Sequence, residues 1–176
     1  MSGVDPDRLS QFVTKTKSLI EKNPQMNEAN TKVKVIGPLL EILGWKMDSD
    51  VELEFPVRIG SATAKVDYAL IIGDIPAILV EAKGFDSDIG NNDAEQAISY
   101  GRVLDVKWVV VTNGKSLHIL DTKRGMRAQD CLFAKLSVDE FDVVDRGDHM
   151  LGPGLAHERI DEIYSAGAAG GDCHHF

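Results

Sequence analysis

A mixed α/β (α+β) domain, with a central mixed β-sheet flanked by helices, is the fold class this sequence predicts. Three observations carry that expectation. Two amphipathic helical patterns come first, at residues 5–22 and 28–43. Apolar, β-branched runs bounded by turn residues then follow one another from Val51 to Leu120. One of them, Lys107 to Thr112, comes after a further helical pattern and is almost wholly apolar, as expected of a strand buried on both faces.

The first helix has Leu9, Phe12, Val13, Thr16, Leu19 and Ile20 at spacings of three and four, with Asp5 as N-cap and Pro6 at the first helical position. Asn23-Pro24 ends it. Asn27 caps the second helix, whose predicted apolar stripe is Ala29, Val33, Ile36, Leu40 and Leu43. Gly37-Pro38 should kink that helix or split it. Val51 to Ile59 reads as a strand. The stretch from Ala64 to Gly84 reads as two more, joined at Gly73-Asp74-Ile75-Pro76. Residues 93–104 form a helix, and Asn113-Gly114 turns the strand at 107–112 into another at Leu117 to Leu120. Beyond Thr122 the pattern weakens, with a short helix expected from Ser137 to Val143. Residues 1–147 are taken as the folded domain. Residues 148–176 form a tail with a short helix around Ile160 and Ile163 and a low-complexity end, AGAAGGDCHHF, expected to be disordered.

Composition is that of an ordinary globular chain of 176 residues, 43% hydrophobic and 27% charged. No apolar run approaches the roughly 18 residues of a membrane span, and the N-terminus lacks a secretory pattern, so a soluble, cytoplasmic protein is expected. Cys131 and Cys173 make no disulfide framework. Cys173-His174-His175 could bind a soft metal, but adjacent ligands at a chain end rarely close a site. The net charge of −9 weighs against tight, metal-free, non-specific nucleic-acid binding. It weighs less against a nuclease, whose metal ligands are themselves carboxylates. Asn113-Gly114-Lys115-Ser116 is not a phosphate loop, because Val109 stands where the motif needs glycine and a strand follows instead of a helix.

The chemistry lies in the central hairpin. If its turn is centred on Asp74, Asp67 and Glu81 lie seven residues to either side and face each other. Glu81 and Lys83, two apart on one strand, share that face. Two opposed carboxylates on an apolar strand pair repel one another, and the simplest compensation is a divalent cation held by oxygen ligands, in the manner of Mg²⁺. A turn centred one residue away would send Asp67 to the opposite face. The alternative is a salt-bridge cluster in which Lys83 bridges Asp67 and Glu81. Glu28, in the first turn of its helix, could equally do no more than favour the helix dipole.

These residues resemble the PD-(D/E)XK nuclease superfamily, and more closely the N-terminal nuclease domain of the restriction subunit of type I restriction enzymes. Asn27-Glu28-Ala29-Asn30-Thr31-Lys32, with Ile36-Gly37-Pro38-Leu39-Leu40 and Leu43-Gly44-Trp45, looks like that family's first-helix signature. Val66-Asp67-Tyr68-Ala69-Leu70 looks like its aspartate strand, Val80-Glu81-Ala82-Lys83 its E-x-K strand, and Gln96 to Tyr100 its Q-x-x-x-Y helix. Val66 stands where the superfamily name places proline.

The resemblance implies a restriction-endonuclease-like fold and Mg²⁺-dependent hydrolysis of DNA phosphodiesters, with Mn²⁺ as a substitute. Asp67, Glu81 and Glu28 would be the metal ligands, with the Ala82 carbonyl a further one. Lys83 would position and deprotonate the attacking water, with a lowered pKa beside the cation, or stabilise phosphate charge. Gln96 and Tyr100 would orient the phosphate or the ligands. Lys65, Lys83 and Arg102 would supply local DNA affinity. A helicase motor follows this domain in the type I subunit; the present chain shows no room for one and no phosphate loop, so ATP is not expected. Restriction-system subunits or a second copy of the chain are the expected partners, because cutting both strands of a duplex needs two sites. The rival readings are a non-cleaving DNA-binding or assembly module of a restriction, defence or repair system, and a structural domain whose acidic surface docks to a partner.

Overall fold

The computed structural model describes residues 5–141. Expectations for the tail, including Cys173, His174 and His175, the helix around Ile160 and the domain limit at 147, lie outside the described residues. Helix α1 (Pro6–Lys22) is capped by the Asp5 carboxylate, which accepts from Asp7 N–H at 3.0 Å and Arg8 N–H at 3.4 Å. It buries Leu9, Phe12, Val13 and Thr16.

The second helix is split, as Gly37-Pro38 foretells, but through a wide turn and not a simple kink. Helix α2 (Glu28–Thr31) runs into a π turn (Lys32–Ile36) and then α3 (Gly37–Ile42), with Pro38 in the first turn of α3. Proline has no N–H to give an intrahelical bond, and the Gly37 N–H reaches back five residues to the Lys32 carbonyl. The extra residue rotates the upstream face. Ala29 and Val33, expected on the apolar stripe, are exposed, Val33 at 75%. Ile36 and Leu40 of that stripe are buried as expected, and Thr31, Val35 and Leu39 join them.

Six strands form one sheet in the order β1-β2-β3-β4-β5-β6: β1 (Val51–Ile59), β2 (Ala62–Ile72), β3 (Ile75–Ala82), β4 (Trp108–Thr112), β5 (Ser116–Asp121) and β6 (Leu132–Ser137). All neighbours are antiparallel except β3 and β4, which are parallel and joined through helix α4 (Asn91–Val103). The fold is therefore α+β with a mixed sheet. One core lies between the sheet and α1–α3, with Tyr68, Leu70, Val80 and Val110 facing Val35, Leu39 and Trp45. The other lies under α4, where Ala94, Ala97, Ile98 and Tyr100 pack with Leu79, Val109 and Val111. Gly101 belongs to this contact, since a Cβ there would sit 2.7 Å from side-chain atoms of Val109 and Thr122.

Edge strand β6, the short helix α5 (Ala128–Cys131) before it and the 3₁₀ turn Val138–Glu140 after it complete the described residues. No strand is legible at 132–137 because the segment lacks clean alternation; pairing with β5 decides it. Of the helix expected from Ser137 to Val143, the described residues show this 3₁₀ turn with Ser137 at its N-cap. Cys131 is buried with a free thiol. Among the described residues no helix is long and apolar enough to cross a membrane.

The register of the central hairpin comes out as the sequence argument requires, but by another route. The turn is centred between Gly73 and Asp74, both with positive φ (53° and 69°), as a two-residue hairpin turn demands. Ile72 therefore pairs with Ile75, and Ile71 with Pro76. Continued unchanged, that pairing would set Asp67 across from Val80 and turn it away from Glu81. A bulge between Leu70 and Ile71 skips Ala77 and restores the other register, with Leu70 opposite Ile78 and Tyr68 opposite Val80. Asp67 is thereby brought into line with Glu81.

Candidate active site

Asp67 sits where two strands part. Tyr68–Val80 is the last β2–β3 pair, and beyond it the Ala82 N–H donates to Asp67 Oδ2 at 2.7 Å. The side chain thus replaces a backbone acceptor as the strands splay. On the other flank, Leu53 pairs with Tyr68 and Phe55 with Val66, leaving Glu54 across from Asp67. Glu54 has φ 53°, an uncommon conformation for a non-glycine residue. The pleat breaks at this point: Tyr68 and Leu70 face the α1–α3 core, whereas Val57 and Val66 join the α4 core.

Glu81 and Lys83 lie side by side at the end of β3, as their spacing predicts. Lys83 Nζ donates to Glu81 Oε1 at 3.2 Å and lies 3.6 Å from Asp93 Oδ1 on α4. Glu81 is buried, and its Oε2 has no hydrogen-bond partner. Burial raises the Glu81 pKa, the Asp67 charge raises it further, and Lys83 only partly opposes them. Burial alone would lower the Lys83 pKa; the Glu81 carboxylate, with Asp93 and Glu28 behind it, more than offsets that, and the result is a raised value. The carboxylates around Lys83 thus hold its ammonium in the charged form.

A second lysine completes the cluster. Lys32, the first residue of the π turn, is ion-paired with Asp67 Oδ1, lies 2.8 Å from Glu28 Oε1 and 3.9 Å from Glu54 Oε1. Burial acts to lower its pKa, but hydrogen bonds to Asp67 and Glu28 dominate and raise it. The single-lysine bridge of the salt-bridge alternative does not form among the described residues: Lys83 holds Glu81, and Lys32 holds Asp67. Glu28 is drawn to the rim through Lys32. Gly84 keeps α2 close, because a Cβ there would meet Glu28 N and Met26 O, each at 2.8 Å.

Gln96 and Tyr100 are neighbours on α4, with Gln96 Nε2 donating to the Tyr100 hydroxyl at 2.5 Å. Among the described residues neither hydrogen-bonds to Asp67, Glu81 or Lys83; Asp93 is the α4 residue that reaches the cluster. Arg102, expected near DNA, is committed elsewhere. Its guanidinium donates to the carbonyls of Thr122, Gly125 and Met126 and fastens the segment before α5. Lys65 pairs with Glu54 at 3.8 Å. Sequence reasoning passed over Lys32, Asp93 and Glu54 as site residues. For Lys32 a signal existed, the four-residue spacing from Glu28; for Asp93 and Glu54 there was none, since both arrive through tertiary contacts.

Residues 27–132 match the family model described as "Type I restriction enzyme R protein N terminus". The chain belongs to this family. The matched span holds every residue of the cluster, from Glu28 to Asp93. A curated relative, the type I restriction enzyme EcoAI endonuclease subunit of Escherichia coli, is 28% identical over 128 residues. That alignment takes in 66% of this chain and 15% of the relative, so the chain spans a small part of the relative's length. A fragment assigned to the HsdR subunit of a type I restriction enzyme from Vibrio vulnificus YJ016 superposes with a TM-score of 0.49 at 24% identity, covering 68% of this chain and 25% of that one.

Do the residues fit a divalent cation? As the side chains stand, no group of three His, Cys, Asp or Glu among the described residues is gathered to hold one. The donor set nonetheless suits a hard cation, being all carboxylate oxygen. Glu81 Oε2 is an orphaned buried acceptor, and the Lys32 ammonium lies between the Asp67 and Glu28 carboxylates.

Proposed function

We propose that the chain is a Mg²⁺-dependent DNA phosphodiester hydrolase of the PD-(D/E)XK type, with a restriction-endonuclease-like fold. The observation that carries this reading is the buried Glu81 carboxylate. Its Oε2 lacks a partner while the Asp67 charge lies close by, an arrangement that costs folding free energy unless a cation joins it.

Asp67 and Glu81 would hold Mg²⁺, with the Ala82 carbonyl beside them and Glu28 reaching in directly or through water. When bound, Mg²⁺ supplies positive charge against the scissile phosphate and a lowered pKa for an attacking water. Lys83 lies next to Glu81 and would position that water or the phosphate by donating from Nζ. A cation on Glu81 would also take away the charge that raises the Lys83 pKa, bringing its ammonium nearer to releasing a proton. Asp93 holds Lys83 from the α4 side. Gln96 and Tyr100, already bonded to each other, would orient groups beyond the first ligands. Mn²⁺ would substitute. Membership of the R-protein family supports a nuclease-like role within a restriction system, with DNA and restriction subunits as partners. A second copy of the chain would supply the other site that a double-strand cut needs.

The test is a Mg²⁺ titration with supercoiled plasmid, reading binding and nicking together. Wild type nicks, and Glu81→Ala does not. Plasmid binding without nicking at any metal concentration would favour the non-cleaving module, and neither binding nor nicking the docking domain.

A further inference from the structure

We propose that Lys32 is the resident cation of the metal-free site, and that loading of a divalent metal displaces its ammonium from Asp67 and Glu28 and frees it to bind the DNA phosphate. The inference rests on the metal-dependent reading above and assigns Lys32 a part in it.

Asp67 carries the argument. Both its oxygens are engaged, Oδ2 by the Ala82 N–H and Oδ1 by Lys32. A metal that takes Asp67 as a direct ligand would compete with a main-chain donor for one oxygen or with an ammonium for the other. The main-chain donor is fixed in β3. The ammonium ends a flexible side chain, and two cations on one carboxylate oxygen repel each other, so the lysine is the group that yields. Glu28, a second expected ligand, is tied to the same ammonium at 2.8 Å.

Lys32 also has somewhere to go. It lines an open groove of about 490 Å³ between the π turn and β1, whose other walls include Val33, Met47, Leu53 and Glu54. Val33 and Leu53 are exposed there, and the Lys32 side chain is itself 20% exposed. Swinging outward along that groove keeps the stem on apolar surface and puts the ammonium in water. A phosphate drawn to the metal would meet it there. Metal and DNA then bind cooperatively: metal releases a phosphate-binding cation, and DNA that captures the cation tightens metal binding by the same factor.

The experiment is calorimetric titration of Mn²⁺ into the full chain without DNA, for wild type, Lys32→Met and Lys32→Arg, with Glu81→Ala as the control lacking a ligand. Lys32→Met keeps most of the stem and removes the competing charge, and should bind Mn²⁺ roughly tenfold more tightly than wild type. Lys32→Arg should remain near wild type. Equal or weaker binding by Lys32→Met, with wild type still binding, overturns the inference and leaves the metal-dependent reading in place. Absence of Mn²⁺ binding by both overturns that reading as well. Should Lys32→Met fail to fold by circular dichroism, wild type decides alone. The Lys32 ammonium, followed by nitrogen NMR, should be protected from water exchange without metal and lose that protection as Mg²⁺ is added. Protection that persists at saturating Mg²⁺ overturns the proposal.

Discussion

Glu81→Gln isolates the cost of the buried Glu81 carboxylate. In wild type the Glu81 Oε2 is buried without a partner, and such a group costs about 1–3 kcal/mol. Its ionised form also faces Asp67. The raised pKa gives the sign: the carboxyl's contribution to folding is fullest below its ordinary 4.5 and is lost as pH rises through the folded value, so at neutral pH its charge opposes folding. Glutamine keeps the shape, removes the charge and turns an amide donor toward Asp67. Against this stands the Lys83 hydrogen bond at 3.2 Å, which weakens by about 1 kcal/mol when its acceptor becomes neutral. The balance is a gain of about 1 kcal/mol, or about 2–4 °C in Tm for a chain of this size.

Thermal melts in EDTA and in Mg²⁺ read both halves of the argument. Wild type should rise with metal by about 2.7 kcal/mol at a hundredfold excess over Kd. Glu81→Gln should melt higher than wild type in EDTA and respond little to Mg²⁺. A Glu81→Gln protein that melts several degrees below wild type in EDTA would mean that Glu81 is a satisfied member of an ion cluster. A full Mg²⁺ shift in the variant would remove Glu81 from the metal.

Gly84→Ala should cost about 1–3 kcal/mol and weaken Mn²⁺ binding, because its Cβ meets Glu28 N at the start of α2 and Met26 O just before it; chemical denaturation and calorimetry check both. With a net charge of −9, DNA affinity in EDTA should be poor and fall steeply with salt in fluorescence anisotropy; tight binding insensitive to salt would contradict this. Burial, helped by Lys135 across the β5–β6 pair, lowers the His118 pKa from 6.5. Its contribution to stability is therefore present above 6.5 and lost as pH falls from there through the folded value, so denaturant midpoints should drop as the solution is made acid below 6.5, and less in His118→Gln.

Local rules carry much of this molecule. Period-two and period-3.6 patterns, with caps such as Asp5 and turns such as Asn113-Gly114, locate α1, α4 and strands β1 to β5 without reference to partners. They also put Glu81 beside Lys83, because two residues on one strand share a face whatever that strand pairs with. Placing Asp67 against Glu81 is a different kind of statement. It depends on the bulge that skips Ala77, and a bulge is settled by how two strands pack under their cores, which no local pattern records. The π turn before Pro38 likewise exposes Val33 and buries Val35, since the phase of a helix on either side of a wide turn answers to what each side packs against. Edge strand β6 is made by pairing with β5. Arg102 is recruited by carbonyls more than twenty residues away in sequence. Lys32 was legible as the partner of Glu28 one helical turn earlier; that it closes on Asp67, thirty-five residues along, only the packing of α2 against the sheet through Gly84 decides.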